Sequence, residues 1–163
     1  MSEKTHWMQS PNKNYLGHWD LPESGELIVT IKSANWEAVK NPITNTTESK
    51  RVVHFISEKV KPFICNQTNA QSIVRSSGVK FMEDSKGVEI CLYIDTIKDK
   101  RTKEDVDCIR VRQVNPYTLE ALQSLFNEKR GKLSEVIANR VVDIMANEEV
   151  SSYMKTIKHI QSL

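Results

Sequence analysis

The order of five strand-like runs and one short helix is the feature that most constrains the fold. The runs are rich in β-branched and aromatic residues, a composition that favours strands. They cover residues 26–36, 49–57, 61–65, 88–98 and 105–114. The helix falls between the third run and the fourth. This order predicts a mainly β domain in which one helix interrupts the sheet.

The inserted helix is predicted from its two end signals. Thr68, with Gln71 three positions later, matches a capping box, whose side chains satisfy the free N–H groups of a first helical turn. Gly78 ends the helix after about two to three turns. Three strands, a helix and two strands give the β-β-β-α-β-β order of the OB-fold, a five-stranded barrel. Such barrels bind mainly oligonucleotides and oligosaccharides, on strands 2 and 3 and on the loops joining strands 1 to 2 and 4 to 5.

Apolar and polar residues alternate in the first and fourth runs, which predicts one core-facing side for each. The second run is mixed in both phases, so its core-facing side is not assigned. Residues 37–48 predict a long flexible connection and residues 98–104 an accessible charged tip, at the positions of the two binding loops. The predicted core positions are Leu27, Val29, Ile31, Val88, Ile90, Leu92, Ile109 and Val111.

Two further segments flank the predicted barrel, which spans residues 26–114. Residues 1–25 show no sustained period and predict an arm that wraps the barrel, where Trp7 and Trp19 either pin the arm or stack on bases. Residues 115–163 predict a helical extension that packs on the barrel or on a second copy, with Asn115 as its first cap. Its apolar stripes are Leu119, Leu122, Leu125 and Phe126; Ile137, Val141 and Ile144; and Val150, Tyr153, Met154, Ile157 and Ile160.

Composition excludes several classes of protein. The 163 residues carry 23 basic and 21 acidic side chains, so bulk charge does not indicate a nucleic-acid-binding protein. The sequence has neither an apolar run long enough for a membrane span nor a signal peptide, which predicts a protein of the cytoplasm without membrane contact. Cys65, Cys91 and Cys108 lack the paired spacing of metal or redox sites and are predicted to be buried or half-buried thiols.

Catalytic motifs are not found in the sequence. The five glycines form no phosphate-binding loop, and the four histidines have no metal-ligand spacing. The acidic residues around the fourth run lack the nearby lysine that a metal-dependent nuclease would use. We therefore predict a protein that is not an enzyme, with no catalytic residue, no cofactor and no metal.

Cations interleaved with aromatic residues are the positive signal. Single-strand binding proteins combine cations that follow the phosphates with aromatic faces on which bases stack. The alternative is a solvated surface whose cations are balanced by Glu48, Asp95, Asp99, Glu104 and Asp105. The predicted nucleic-acid-binding residues are Lys32, Trp36, Lys50, Arg51, Tyr93, Lys98, Lys100, Arg101, Lys103, Arg110 and Arg112.

Several stretches resemble a family of small bacteriophage proteins. They are Tyr15-Leu16-Gly17-His18-Trp19-Asp20-Leu21-Pro22, residues 27–31, Pro62 to Ala70 with its Asn-x-Thr-Asn-Ala motif, residues 87–93 and residues 107–112. Members of this family, mostly uncharacterised, look like OB-fold single-stranded-DNA-binding proteins of replication and recombination genes. Ser85 stands where that pattern usually has tryptophan, and the chain lacks the acidic tail by which bacterial single-strand binders recruit partners.

The sequence thus predicts non-catalytic, largely sequence-independent binding of single-stranded DNA in phage replication and recombination. The predicted partners are single-stranded DNA, a second copy through the C-terminal helices, and replication or recombination proteins. The alternative is a protein-interaction module that binds or inhibits a host or phage protein such as a nuclease.

Overall fold

The computed structural model describes residues 14–147 and 150–163, so the first part of the predicted arm, with Trp7, lies outside the described residues. The chain divides into two compact units between Val114 and Asn115. Within the described ranges, the first unit is mainly β and holds a five-stranded antiparallel sheet and one α-helix. The second unit contains three α-helices.

The sheet is open, with the strands in the order β3-β2-β1-β4-β5. Every neighbouring pair is antiparallel. Among the described residues, β3 pairs with β2 alone and β5 with β4 alone, so these two strands form the edges. The strands are β1 (Glu26–Lys40), β2 (Thr47–Phe55), β3 (Phe63–Ile64), β4 (Glu89–Lys98) and β5 (Asp105–Val111).

The predicted flexible connection over residues 37–48 is wrong. Both β1 and β2 extend into this segment, because the β1–β2 ladder continues to the pair Lys40 and Thr47 and so satisfies the backbone groups. The turn between them is held by the Asn41 carboxamide, whose Oδ1 accepts hydrogen bonds from the N–H groups of Ile43 at 2.9 Å and Thr44 at 3.3 Å. The first predicted binding loop is therefore a strand hairpin with a short turn.

β1 is shared by the two halves of the sheet and changes partner at an irregularity around Lys32. Residues 26–30 pair with β4, whereas the ladder with β2 shifts register between Ile31 and Ser33. Ile31 also exchanges two backbone hydrogen bonds of 2.8 Å, with Val88 and Gly87. Such a bulge bends a strand and increases its twist. The strand therefore turns from one half of the sheet into the other at this point.

One face of the sheet, called the inner face here, carries the core. Six of the eight predicted core residues are buried, and Leu27 and Val88 are partly buried against them, which confirms the alternation in β1 and β4. β2 contributes Val53 and Phe55 to the same core, so its inner phase is that of the odd-numbered residues. The next inner-face pair along the β1–β2 ladder, Trp36 and Arg51, lies outside this core.

The helix between β3 and β4 is α1 (Gln67–Ser77), and it ends at Gly78 in the left-handed conformation with φ 72°, as predicted. The predicted cap at Thr68 is wrong. The cap is Asn66, whose Oδ1 accepts a hydrogen bond of 2.9 Å from the N–H of Asn69. Both residue types cap well. Asn66 takes the role because the chain leaves the sheet at Cys65, whose N–H donates to the Arg51 carbonyl at 2.8 Å.

The side chain of Asn69 binds the free edge of β5. It is 1% exposed, its Nδ2 donates to the Ile109 carbonyl at 3.0 Å, and its Oδ1 accepts from the Val111 N–H at 3.1 Å. The Asn69 amide thus bonds the backbone groups on either side of Arg110, as a neighbouring parallel strand would. The amide therefore satisfies edge groups of β5 that no strand covers.

Residues 14–21 pack beside β3. The Leu16 N–H donates to the Pro62 carbonyl at 2.8 Å, and Lys61 Nζ lies 2.6 Å from Asp20 Oδ1. The indole of Trp19 lies directly over Gly17, where an added Cβ would stand 2.2 Å from the ring. Trp19 is thus held in a local structural contact within this segment.

The second unit contains α2 (Leu119–Lys129), α3 (Glu135–Ala146) and α4 (Val150–Gln161), which contact one another. Thr118, not Asn115, caps α2, and Asn115 Oδ1 accepts a hydrogen bond of 3.0 Å from the Tyr117 N–H just before it. No helix within the described ranges is long and apolar enough to cross a membrane. The predicted stripes supply the buried residues Leu122, Phe126, Val141, Ile144, Tyr153, Ile157 and Ile160.

Candidate nucleic-acid interface

A groove of about 520 Å³ lies between α1 and the inner face of β1 and β2, and we call it the α1 groove. The segment that follows α1 forms its third side. Its lining residues are Ile31, Ala34, Trp36, Arg51, Val53 and Cys65 from the sheet side, Gln67, Ala70, Gln71, Ile73, Val74 and Arg75 from α1, and Val79, Lys80, Phe81, Met82 and Ser85 from the following segment.

Two of the predicted binding residues meet at the sheet side of the α1 groove. Trp36 and Arg51 are opposite each other in the β1–β2 ladder, so their side chains share the inner face. The Arg51 guanidinium lies 5.3 Å from the centroid of the Trp36 ring, and its Nη2 donates a 2.6 Å hydrogen bond to Gln67 Oε1 on α1. Trp36 remains 58% exposed. The sheet therefore presents an oriented cation beside an accessible aromatic ring.

The α1 groove is also lined by residues that the sequence did not predict. Phe81 is 67% exposed and Val74 38% exposed, although both are large apolar side chains. Arg75 and Lys80 line the groove beside them. The signal was an alternation of apolar and cationic residues just after the helix-ending Gly78. This segment has no strand or helix period, so periodicity gave no reason to select it.

The α1 groove is electropositive. Its three charged lining residues, Arg51, Arg75 and Lys80, are all cations, and no carboxylate lines it within the part of the chain that the structure describes. Ser85 also lines the groove and is 4% exposed. Aromatic rims and cationic walls favour an anionic ligand that has flat rings.

Cys65 also lines the α1 groove, but as an unreactive thiol. Burial raises its pKa to about 11, and the positive charge of Arg51 offsets only part of that effect. A thiol with this pKa is protonated near neutral pH and is a poor nucleophile. Burial likewise raises the pKa of Cys108. All three cysteines are free, Cys65 and Cys91 being buried and Cys108 half-buried, as predicted.

Tyr93, Arg110 and Arg112 form a separate cluster on the outer face of β4 and β5. Their strand neighbours Leu92 and Val111 point into the core, so these three side chains point the other way. The Arg112 guanidinium covers the Tyr93 ring at 4.4 Å and also pairs with the buried carboxylate of Glu26. Arg110 lies 3.8 Å from Asp95.

The predicted binding residues therefore occupy both faces of the sheet. Lys50 is on the outer face, although the next residue, Arg51, is on the inner face, since side chains alternate along a strand. Lys50 pairs with Glu48, and this ion pair lowers the pKa of that carboxylate. Lys32 is exposed at the irregularity in β1.

The tip between β4 and β5 presents an exposed group of cations. Asp99 organises this tip, because its Oδ1 accepts hydrogen bonds from the N–H groups of Arg101 at 2.7 Å and Thr102 at 2.9 Å. These bonds hold the pKa of Asp99 below its usual value. Asp105 is opposite Lys98 in the β4–β5 ladder. The exposed cations are Lys98, Lys100, Arg101 and Lys103.

No group of three or more His, Cys, Asp or Glu side chains suited to a metal ion occurs among the described residues. Comparisons with protein-family models, with curated proteins and with solved structures give no match to this chain. The α1 groove is therefore described by its own lining, which combines the exposed rings of Trp36 and Phe81 with three cations.

Proposed function

We propose that this chain binds single-stranded DNA without catalysis, through the α1 groove and the cationic β4–β5 tip. The observation that carries the proposal is the pair of exposed rings, Trp36 and Phe81, at a groove whose charged lining residues are all cations. Stacked bases contribute roughly 1 to 3 kcal/mol each, and phosphate contacts add affinity that hardly depends on sequence. Binding is therefore largely independent of sequence.

We also propose that the sheet is that of an OB-fold, a partly open five-stranded barrel. The strand order and the position of α1 between β3 and β4 support this assignment. Closing the order β3-β2-β1-β4-β5 would bring β3 beside β5, and Asn69 already bonds β5 as a parallel neighbour would. The proposed binding site differs from the predicted one, because the α1 groove includes the helix and, of β2 and β3, only Arg51 and Val53 of β2.

A role in phage replication and recombination, in the cytoplasm of a host cell, is proposed from the resemblance alone. A second candidate function is the binding of another protein, such as a nuclease. The apolar exposure of Val74 and Phe81 favours it, because a peptide with an apolar side chain would also cover these residues. Salt dependence separates the two, since phosphate binding weakens steeply as salt rises and apolar contact does not.

The test is a titration of the full chain with a single strand of about 30 to 40 nucleotides, several times the site size of one OB-fold. We expect Trp36→Ala and Phe81→Ala each to weaken binding by about 5- to 150-fold with little change in salt slope. Replacing Lys80 by alanine should instead reduce the log–log salt slope by about 0.7.

Matched controls lie outside the α1 groove. Ile43→Ala removes an exposed apolar side chain at the β1–β2 turn, and Lys59→Ala removes an exposed cation. Neither should weaken binding as the groove variants do. If the intact chain fails to bind the single strand even at low salt, the proposal is wrong and the protein-binding function takes its place.

A further inference from the structure

Arg51 enters the α1 groove with most of its hydrogen-bonding capacity free. A guanidinium has five N–H donors. Within the described residues, the Arg51 guanidinium makes one hydrogen bond, from Nη2 to Gln67 Oε1. That bond and the contact with the Trp36 ring hold the guanidinium in place. The remaining donors of an oriented cation are therefore available to a ligand beside Trp36.

Arg51, which contacts the Trp36 ring, and Gln67, which bonds Arg51, offer mainly donors to a ligand. The Gln67 carbonyl is occupied by Arg51, which leaves the Gln67 Nε2 group to donate. Elsewhere in the groove lining, Arg75 and Lys80 only donate, whereas the Gln71 carboxamide can donate and accept. A base that turns a donor toward Arg51 would leave two donors facing each other without an acceptor, which costs binding energy. The complement of this site is a base with two acceptors side by side.

Guanine has two such acceptors on one edge of its ring system. Its O6 and N7 atoms are adjacent acceptors, and arginine binds them with two parallel hydrogen bonds. Adenine keeps N7 but presents an N6 amino donor in place of O6. In unstacked single strands, bases stack on aromatic rings and guanidinium planes while their edges form hydrogen bonds. Trp36 and Arg51 supply these two elements together.

We infer that the α1 groove takes one unstacked guanine of the bound strand, stacked at Trp36 and read at O6 and N7 by Arg51, with Gln67 as the positioning residue. This inference rests on the proposed binding of single strands and adds a preference at one position. The phosphates still supply affinity for any sequence, so the preference is superimposed on largely non-specific binding.

The experiment uses the full chain and short thymine oligonucleotides that differ in one central base. The central base is guanine, hypoxanthine, 7-deazaguanine or adenine. Hypoxanthine keeps O6 and N7, 7-deazaguanine lacks only the N7 acceptor, and adenine lacks O6. We expect guanine and hypoxanthine to bind alike, and adenine to bind about 5- to 150-fold more weakly. The 7-deazaguanine strand should fall between them. Ribose versions of the strands should show the same order, because the edge belongs to the base.

Two variants test the assigned roles. Arg51→Lys keeps the charge but loses the two-pronged donor geometry, so the salt slope should persist while the guanine preference disappears. Gln67→Ala should reduce the preference and leave affinity for the adenine strand unchanged, since it frees the guanidinium without removing a charge. If either residue had only a structural role, its replacement would not change the preference for guanine over adenine.

The outcomes separate the inference from the proposed function. If the native chain binds the guanine and adenine strands equally well, or if 7-deazaguanine binds as well as guanine, the inference is wrong while single-strand binding stands. If none of the strands binds at low salt, the proposed function itself fails. A guanine preference that survives in Arg51→Lys would also overturn the assignment of Arg51.

Discussion

Asn69 provides the sharpest test of how the fold is held together. Its buried amide satisfies the Ile109 carbonyl and the Val111 N–H on the free edge of β5. Asn69→Ala would leave both backbone groups buried without a partner, at a cost of roughly 1 to 3 kcal/mol each. We therefore expect a total loss of about 2 to 6 kcal/mol. That loss is a large part of the roughly 5 to 15 kcal/mol by which domains are stable.

Asn69→Asp changes the hydrogen-bonding pattern without changing the shape. An ionised aspartate turns an acceptor toward the Ile109 carbonyl, whereas a protonated one can donate to it. The folded state should therefore raise the pKa of this carboxyl above its unfolded value of about 3.9. The loss of stability caused by Asn69→Asp is therefore full at neutral pH, and it shrinks as pH falls through the raised folded pKa. The native Asn69 amide does not titrate, so the native chain should not gain stability at this site as pH falls.

Denaturant unfolding gives the free energies, and amide hydrogen exchange of Val111 reports the same contact locally. Thr68→Ala is the matched control, because Thr68 is exposed in the same helical turn and its loss should change stability by less than about 0.5 kcal/mol. If Asn69→Ala costs no more than Thr68→Ala, or if Val111 exchanges at the same rate in both, the role assigned to Asn69 is refuted.

Three further predictions concern a cap, a thiol and the helical unit. Gly78→Ala places a Cβ at φ 72° and should cost roughly 1 to 2 kcal/mol in denaturant unfolding; Gly131→Ala, in open space without a positive φ, should cost much less. Because the folded pKa of Cys65 is about 11 and that of an unfolded thiol about 8.5, stability should fall as pH rises between these values. Cys65→Ala should make that decline smaller, and the raised pKa of Cys108 should leave part of it. If residues 115–163 mediate self-association, light scattering should show a dimer or larger for the full chain and a monomer after truncation at Val114; equal states at both lengths would contradict this.

Alternation and helical spacing predicted much of the fold. Strict alternation in β1 and β4 identified their inner face, because one face of each strand packs on the core. Helical spacing found α2, α3 and α4 and their buried stripes, since each helix buries one apolar face. The cap of α1 was misplaced because Asn66 and Thr68 are both good caps. The choice depends on where the chain leaves the sheet.

The candidate site was predicted less completely, for reasons of geometry. The second run is mixed in both phases, so the sequence did not show which of Lys50 and Arg51 lies on the inner face. Phe81 and Lys80 lie in a segment without a period, and only the tertiary structure brings them into one groove with Trp36. The Asn69 contact joins residues 40 and 42 positions apart, a pairing for which a single sequence holds no signal.

The most direct test of the central claim is to identify the residues that contact the strand. The full chain is cross-linked by ultraviolet light to a thymine single strand, and the modified residues are located by mass spectrometry. Binding in the α1 groove predicts cross-links at Trp36 and Phe81, which both line it. Cross-links confined to Tyr93 on the outer face, or no cross-link at low salt, would contradict it.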